Sequence, residues 1–208
     1  MVLPKLNRLH YLVDKTKTRE KAEKKIRNEL KNTDNELVKL QRGVAHYRNT
    51  KTGQNTIAIK GTDKTNIKDL ISDVKLGLGL SSSDKQFKKR RNDIKRILKE
   101  NPDDEFTLTG HSLGASIGLS AMKNKGIRDR ISNAQLYNTG YTPAFHKEIK
   151  EGLSKDDLKE MKDKITHHHV IGDPISSFVL KERVGTLKKY NSENKLTEPL
   201  KNHSLDNF

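Results

Sequence analysis

FTLTGHSLGA, spanning Phe106 to Ala115, is the stretch from which the fold of this chain is inferred. It reads as a short apolar strand, a turn of the form G-x-S-x-G and the start of a helix of small residues. This order predicts a nucleophile elbow, a sharp turn that exposes a serine hydroxyl. Gly110 and Gly114 lack a Cβ and let the backbone fold tightly around His111 and Ser112. The stretch therefore predicts Ser112 as a nucleophile; the alternative is a glycine-bounded turn without chemistry.

Leu113 follows the predicted nucleophile and begins the predicted helix. Its N–H has no acceptor within the helix, because the first amides of an α-helix lack one. An amide in this position can donate to the negative charge that develops on a carbonyl oxygen under attack. We therefore expect the backbone of Leu113 to be one donor of an oxyanion hole.

The composition restricts the partners of the chain. Its 208 residues fit one domain with a real core, although only 31% are apolar and 33% are charged. The formal net charge of +15 favours anionic partners, namely phospholipid, nucleic acid or an acidic protein. The alternative is that the lysines are only solvent-exposed residues on helix surfaces, without a binding role. An aromatic content of 5%, without a recognisable nucleic-acid motif, leads us to expect no nucleic-acid partner.

Cysteine is absent, so neither disulfides nor thiol chemistry are expected. Residues 1–14 lack an apolar segment of signal-peptide length, and no run of residues approaches the length of a transmembrane helix. From these features we expect an intracellular or virion-associated protein rather than a classically secreted one.

Residues 1–42 are predicted to form a basic helical arm packed on the domain formed by residues 43–208. An apolar residue recurs at helical spacing along this arm. The repeat comprises Ala22, Ile26 and Leu30 and resumes at Leu37 and Leu40, after a break at 32–34. The arm packs against the sheet in one interpretation and docks on an anionic membrane in the other.

Strands and helices alternate along the remaining chain. Strands are predicted at 44–47 and 56–59, joined by a turn containing Gly53, and at 106–109, 134–138, 168–171 and 187–190. Helices are predicted from a cap at Ser83 or Asp84 to Asn101, from Leu113 to Lys125 with Gly126 as its end, and after a capping box of Ser154 and Asp157, through Ile165. This alternation predicts an α/β fold with a mostly parallel central sheet flanked by helices. Its chemistry is expected at the carboxyl ends of the strands.

A further short helix is predicted at 66–74. Its apolar residues recur at positions i, i+3, i+4 and i+7, which places them on one face. They are Ile67, Leu70, Ile71 and Val74.

The order of serine, acid and histidine along the chain is that of the α/β-hydrolases. Asp173 stands in a turn directly after a predicted strand, where the acid of such a triad belongs, and His203 is the only histidine downstream of it. His46 alternates with apolar neighbours and is interpreted as structural. The histidines at 167–169 are successive residues of a strand and point to opposite faces, so we expect no metal site there.

These residues resemble the class 3, or fungal-type, lipases of the α/β-hydrolase superfamily. The resemblance runs from Val44 to the end of the printed sequence. It is carried by a strand and oxyanion turn at Ile57–Thr62, a lid helix at Asn66–Val74, the elbow at Pro102–Ala115, an acid turn at Gly172–Ile175 and a terminal histidine at Asn202–Leu205.

The resemblance implies Ser112 as nucleophile, His203 as base and Asp173 as the group that orients the histidine. It implies Thr62 as a second oxyanion donor beside Leu113, and the apolar face at 66–74 as a lid. It also implies that neither a metal nor an organic cofactor is needed.

The function predicted from the sequence is hydrolysis of the carboxylic esters of lipids at a membrane or micelle interface, by a triacylglycerol lipase or a phospholipase. One alternative is a soluble short-chain esterase or peptidase on the same fold. Another is a non-catalytic basic module that binds membrane or nucleic acid, against which the intact order of Ser112, Asp173 and His203 argues. Acyl-chain length, head group and oligomeric state remain open at this point.

Overall fold

The computed structural model describes residues 3–13, 15–16, 18–41, 43–62, 85–175, 183–192 and 199–208. The predicted lid helix, with its apolar face of Ile67, Leu70, Ile71 and Val74, lies outside the described residues. Ser83 and Asp84, the alternative caps predicted for the basic helix, lie outside them as well.

Seven strands within these ranges form one sheet in the order β1 to β7. They are β1 (Asn35–Leu40), β2 (Val44–Asn49), β3 (Asn55–Ile59), β4 (Phe106–His111), β5 (Ile131–Tyr137), β6 (Ile165–Val170) and β7 (Thr186–Tyr190). The first three strands pair antiparallel, and β3 to β7 pair in parallel. The mostly parallel sheet with flanking helices confirms the predicted α/β-hydrolase type of fold.

Helices connect the strands and cover the sheet. They are α1 (Leu3–His10), α2 (Arg19–Leu30), α3 (Lys85–Glu100), α4 (Leu113–Ala121), α5 (Lys125–Arg128), α6 (Pro143–Lys150), α7 (Lys155–Lys164) and α8 (Pro199–His203), with short 3-10 turns at Tyr11–Val13 and Leu205–Asn207. Helix α7 begins with the predicted capping box of Ser154 and Asp157. Across the described ranges, no helix combines the length and the apolar character needed to span a bilayer.

The described residues form two apolar cores, one on each face of the sheet. Successive side chains of β3 show this directly, since Ile57 and Ile59 belong to one core and Ala58 to the other. The larger core packs α3, α4, α6 and α7 against the parallel strands. The second core packs α1 and α2 against β1, β2 and β3. The N-terminal helices therefore cover one face of the antiparallel part of the sheet.

Residues 35–40 form strand β1, so the helix predicted to resume at Leu37 and Leu40 is wrong. Both leucines are buried on the same side although they are three residues apart. The pairing of β1 with β2 shifts between Leu37 and Lys39, which is where a β-bulge places Val38. The extra residue turns the two-residue repeat of a strand into a spacing of three, which imitates a helix.

The helix that follows the elbow is shorter than predicted. The sequence predicts a helix that continues to Lys125 and ends at Gly126, but α4 ends at Ala121. The Asn124 side chain accepts a hydrogen bond from the backbone N–H of Ile127 and begins the separate helix α5. An asparagine whose side chain satisfies a free amide can start a new helix. Gly126 therefore lies inside α5 and does not end α4.

Helix α6 is absent from the sequence prediction. Its N-cap Thr142 accepts from the N–H of Phe145, and Pro143 occupies the first turn, where a proline loses no hydrogen bond. Phe145 and Ile149 are buried at a spacing of four. The threonine, the proline and this spacing of apolar residues together would have predicted the helix from sequence.

The helix predicted after Ser154 is also shorter than expected. Ile165, predicted as part of α7, is the first residue of β6.

Candidate active site

Ser112 lies at the turn between β4 and α4 in a strained backbone conformation. Its φ is 57° and its ψ is −127°, values that a non-glycine residue rarely adopts. Such a conformation costs on the order of 1–3 kcal/mol and persists only where the surroundings impose it. The Ser112 N–H donates to the carbonyl oxygen of Tyr137 at 2.9 Å, which ties the turn to the neighbouring strand β5.

Two glycines of the elbow are required by close approaches of the backbone. A Cβ on Gly110 would lie 2.7 Å from the carbonyl carbon and oxygen of Gly114. A Cβ on Gly114 would collide with the backbone of Ile59 and Lys60 on strand β3 and the residue after it. Any larger residue at either position would push α4 away from the sheet and move Ser112 with it.

Asp173 and His203 form a buried pair. The His203 Nδ1 atom lies 2.6 Å from the Asp173 Oδ1 atom, and both side chains are almost fully excluded from solvent. Asp173 is held in the turn after β6 by a hydrogen bond from its N–H to the carbonyl of Val170. Because a carboxylate only accepts, Nδ1 of the imidazole carries the shared proton.

Two buried polar atoms, one of them in this pair, lack hydrogen bonds in the described part of the chain. Within the residues that the structure describes, neither Ser112 Oγ nor His203 Nε2 has a hydrogen-bond partner. In native proteins the great majority of buried polar atoms are paired, and an exception calls for an explanation such as catalysis. The two atoms are complementary, since a hydroxyl donates and the Nε2 lone pair of a histidine protonated at Nδ1 accepts.

The backbone of His203 is held by an asparagine at the end of β5. The amide nitrogen of Asn138 donates to the carbonyl oxygens of His203 at 3.2 Å and of Asn202 at 3.4 Å. Its amide oxygen accepts from the N–H of Val170 at 3.0 Å. One side chain therefore joins the strand that leads to Asp173 to the segment that carries His203. The sequence predicts Asn138 only as the end of a strand. In the structure its φ is 44°, a conformation that asparagine tolerates better than most residues.

His111, predicted only as part of the elbow, also contacts His203. The His111 Nε2 atom lies 2.7 Å from the carbonyl oxygen of His203, and the two ring centroids are 4.7 Å apart. On its other side, His111 Nδ1 lies 3.0 Å from the hydroxyl of Tyr11. Burial, the largest cause, lowers the pKa of His111 to about 3, so the ring is neutral. Nothing in the sequence pointed to Tyr11, whose partner lies 100 residues away.

The residues predicted as oxyanion donors lie next to the elbow, Leu113 directly after Ser112 and Thr62 directly after Gly61. Leu113 is the first residue of α4, and Thr62 is half-buried two residues after Lys60. Gly61 packs against the elbow so closely that an added Cβ would lie 3.2 Å from the Cβ of Ser112. The turn after β3 and the elbow after β4 therefore meet at the carboxyl edge of the parallel strands.

The other histidines have partners of their own. His46 Nε2 lies 2.9 Å from the Asn55 amide oxygen, as befits the structural role expected for it. His167 bonds to Thr139 and to a backbone carbonyl on one side of β6, and His168 bonds to Tyr190 on the other. In the described part of the chain, no group of three or more His, Cys, Asp or Glu side chains is arranged to hold a metal ion.

Comparison with known proteins identifies the family of this site. The model of a family described as phospholipase-like, with a Tle-like phospholipase domain, matches residues 14–193. That range includes Ser112 and Asp173, whereas Tyr11 and His203 lie outside it. No curated protein matches the chain in sequence.

Three solved structures are similar at low identity. A mutant form of MDLA from Penicillium cyclopium is 16% identical with a TM-score of 0.48, over 80% of this chain and 67% of that one. The Rhizomucor miehei lipase propeptide complex is 12% identical with a TM-score of 0.44, over 76% and 56%. A lipase of Yarrowia lipolytica is 15% identical with a TM-score of 0.40, over 72% and 64%. The chain spans 56% to 67% of the length of these proteins, and its family membership rests on the match to the family model.

Proposed function

The chain belongs to the Tle-like phospholipase domain family, and from this premise we propose that it hydrolyses the carboxylic esters of phospholipids through Ser112, His203 and Asp173. The family places the chain among enzymes that cleave lipid esters. The observation that carries the assignment of residues is the 2.6 Å contact of His203 Nδ1 with Asp173, which leaves Nε2 of the same ring as an acceptor for a serine hydroxyl.

The proposed reaction follows the logic of a serine hydrolase. His203 Nε2 takes the proton of Ser112 Oγ as that oxygen attacks the ester carbonyl. Asp173 holds the imidazole in the required tautomer and stabilises the imidazolium that forms. The N–H groups of Thr62 and Leu113 donate to the oxyanion of the tetrahedral intermediate.

The intermediate collapses as His203 returns the proton to the leaving alcohol oxygen, here the hydroxyl of a lysolipid. An acyl group remains bound to Ser112. Water, deprotonated by His203, then attacks this acyl-enzyme and releases a fatty acid, which regenerates the serine. Each proton moves between Nε2 and an oxygen, so the proposed reaction requires neither a metal nor an organic cofactor.

The proposed substrate is lipid in an aggregate with anionic charge. The net charge of +15 attracts such a surface, and each Lys or Arg near it contributes about 1 kcal/mol. Helix α3 supports this proposal, since its buried side carries Phe87, Ile94, Ile97 and Leu98 and its outer side is basic. Exposed lysines on α3 are Lys85, Lys88, Lys89, Lys95 and Lys99.

A fluorophosphonate probe tests the proposed nucleophile, because it reacts with activated serines. Ser112→Ala is expected to abolish both labelling and the release of fatty acid from phospholipid vesicles. Ser120→Ala is the matched control, since it makes the same change in the same helix, and it is expected to retain both. Labelling of Ser112→Ala at the wild-type level would refute the assignment. Labelling with hydrolysis of short soluble esters alone would indicate the soluble-esterase alternative.

A further inference from the structure

Three hydrogen bonds connect the turn after β3 to the backbone of His203. The Gly61 N–H lies 3.2 Å from the Tyr11 hydroxyl oxygen. That oxygen lies 3.0 Å from His111 Nδ1, and His111 Nε2 lies 2.7 Å from the His203 carbonyl oxygen. The series thus joins the N-terminal arm, the turn that precedes Thr62, the elbow and the segment of the proposed base.

The directions of these hydrogen bonds follow from the groups involved. The carbonyl of His203 can only accept, so His111 Nε2 must carry a proton. Burial lowers the pKa of His111 to about 3, so the ring is neutral and Nδ1 has a lone pair. The Tyr11 hydroxyl must then donate to Nδ1, while its oxygen accepts from Gly61. This arrangement of protons gives each of the three hydrogen bonds one donor and one acceptor.

We propose that Tyr11 is a positioning residue for the hydrolase site, which acts on His203 through His111 and on the oxyanion turn through Gly61. If the Tyr11 hydroxyl is removed, His111 Nδ1 and the Gly61 N–H lose their partners in this series. A His111 protonated at Nδ1 would also direct the lone pair of Nε2 at the His203 carbonyl, which repels it. The Tyr11 hydroxyl therefore reinforces the tautomer that the His203 carbonyl also requires, and it holds the His111 ring through Nδ1.

The packing around Tyr11 gives the hydroxyl a defined place. A Cβ added to Gly61 would lie 2.5 Å from both the Tyr11 hydroxyl and the His111 carbonyl oxygen, so no gap separates these segments. Helix α1, which precedes Tyr11, is docked through a buried 2.7 Å hydrogen bond from Asn7 to Thr109. Leu6 and Leu9 of the same helix are buried in the second core.

The tautomer of His111 is the direct test, measured from the ¹⁵N shifts of its ring in the full chain. In the wild-type protein the Nε2-protonated form is expected, and a ring protonated at Nδ1 would overturn the proposal without any variant. In Tyr11→Phe, which keeps the tyrosine ring, the ¹⁵N shift of the unprotonated Nδ1 is expected to move downfield, because that nitrogen loses its donor while Nε2 keeps its proton. An unchanged Nδ1 shift in the folded variant would overturn the proposal.

Kinetics provide the second readout. Tyr11→Phe is expected to lower kcat about 10- to 100-fold on a short soluble ester, with KM changed less than about threefold, because the loss affects positioning and not binding. Tyr47→Phe is the matched control, because within the described residues the buried Tyr47 hydroxyl has no hydrogen-bond partner. It is expected to retain wild-type kcat. A kcat of Tyr11→Phe within twofold of wild type would refute a positioning role.

This inference rests on the proposed function, but the two fail in different ways. If Ser112→Ala is still labelled by the fluorophosphonate, the proposed nucleophile is wrong, while the Nδ1 shift of His111 still reports on Tyr11. If Ser112 is the labelled residue and the Nδ1 shift does not depend on Tyr11, the proposed function stands and the role of Tyr11 is refuted.

Discussion

Asn138 donates a hydrogen bond to the backbone carbonyl of His203 at 3.2 Å, across 65 positions of sequence. The same amide accepts from Val170, which lies just before the turn of Asp173. The relative position of the proposed acid and base therefore depends on a side chain that belongs to neither segment.

Asn138→Asp tests this arrangement. Aspartate tolerates the positive φ and still accepts from Val170, but it cannot donate to the two carbonyls and instead repels them. We expect kcat to fall about tenfold or more. Asn133→Asp, on the same strand, should have little effect, because the Asn133 amide oxygen accepts from Gln135 and aspartate can replace it. Equal kcat values for the two variants would contradict the role of Asn138.

His203→Ala is expected to lower kcat by about three or more orders of magnitude, as does loss of a triad member in serine hydrolases. Asp173→Asn should also be severe, because an amide that donates to Nδ1 imposes the wrong tautomer. Changes at His46 or His169 should instead lower the unfolding midpoint and leave kcat near wild type. Steady-state kinetics and thermal unfolding of the four variants distinguish these effects. An active His203→Ala enzyme would invalidate the proposed triad.

The predicted lid face lies outside the described residues, and its role is a prediction from sequence. An apolar face is tolerated in the open state only against lipid, so opening should require an interface. We expect low activity on monomeric esters and a rise when the substrate aggregates. Replacing Ile67 and Leu70 with serine should reduce this rise and spare hydrolysis of soluble esters. Unfolding, or equal loss of both activities, would show that the face is packed core.

The two ends of α3 are expected to contribute unequally to membrane binding. The Arg90 side chain of this helix bonds to the carbonyl of Lys60, directly after β3, at the edge of the sheet where Ser112 lies. The helix ends at Glu100, shortly before β4 begins at the opposite edge. Neutralising Lys88 and Lys89 near its start should therefore weaken binding to anionic vesicles more than neutralising Lys95 and Lys99. Sedimentation with vesicles measures this, and salt should reduce the difference by screening. Equal weakening by the two pairs would indicate attraction by net charge alone.

His10 is expected to make stability depend on acid pH. Burial, the largest cause, lowers its pKa from 6.5 to about 3. Between these values the unfolded chain binds a proton that the folded chain does not, so stability is full above pH 6.5 and is lost as the pH falls towards 3. The contribution is about 1.4 kcal/mol per pH unit. Denaturant unfolding of His10→Gln should show a correspondingly shallower dependence on pH, and an unchanged slope would contradict the assignment.

Local patterns predicted most of the fold because they reflect local causes. The elbow glycines, the capping box at Ser154 and the alternation in β3 each act over a few residues, and the structure has the corresponding elements. The errors have local causes as well. The bulge at Val38 changed the period of β1, and Asn124 began a helix within the run that had been expected to continue α4.

The candidate site was accessible from sequence only in part. Ser112, Asp173 and His203 could be selected by residue type and order along the chain, and the structure brings Asp173 and His203 into contact. The supporting contacts could not be selected in this way. Tyr11 and His111 are 100 residues apart, and a tyrosine in a basic arm has no pattern that distinguishes it from other surface residues. Pairing at that distance is a property of the packed molecule.

The two cores differ in the length of chain that each must close. Among the described residues, the core formed by α1, α2 and the antiparallel strands takes its buried residues from positions 6 to 58, whereas the larger core draws on residues from 44 to 184. Contacts between residues close in sequence form faster, because less chain entropy is lost in closing the loop. During refolding, the amides of β1 and β2 should therefore become protected from hydrogen exchange before those of β6. The hydrolase site needs both cores and should be among the last regions to acquire native order.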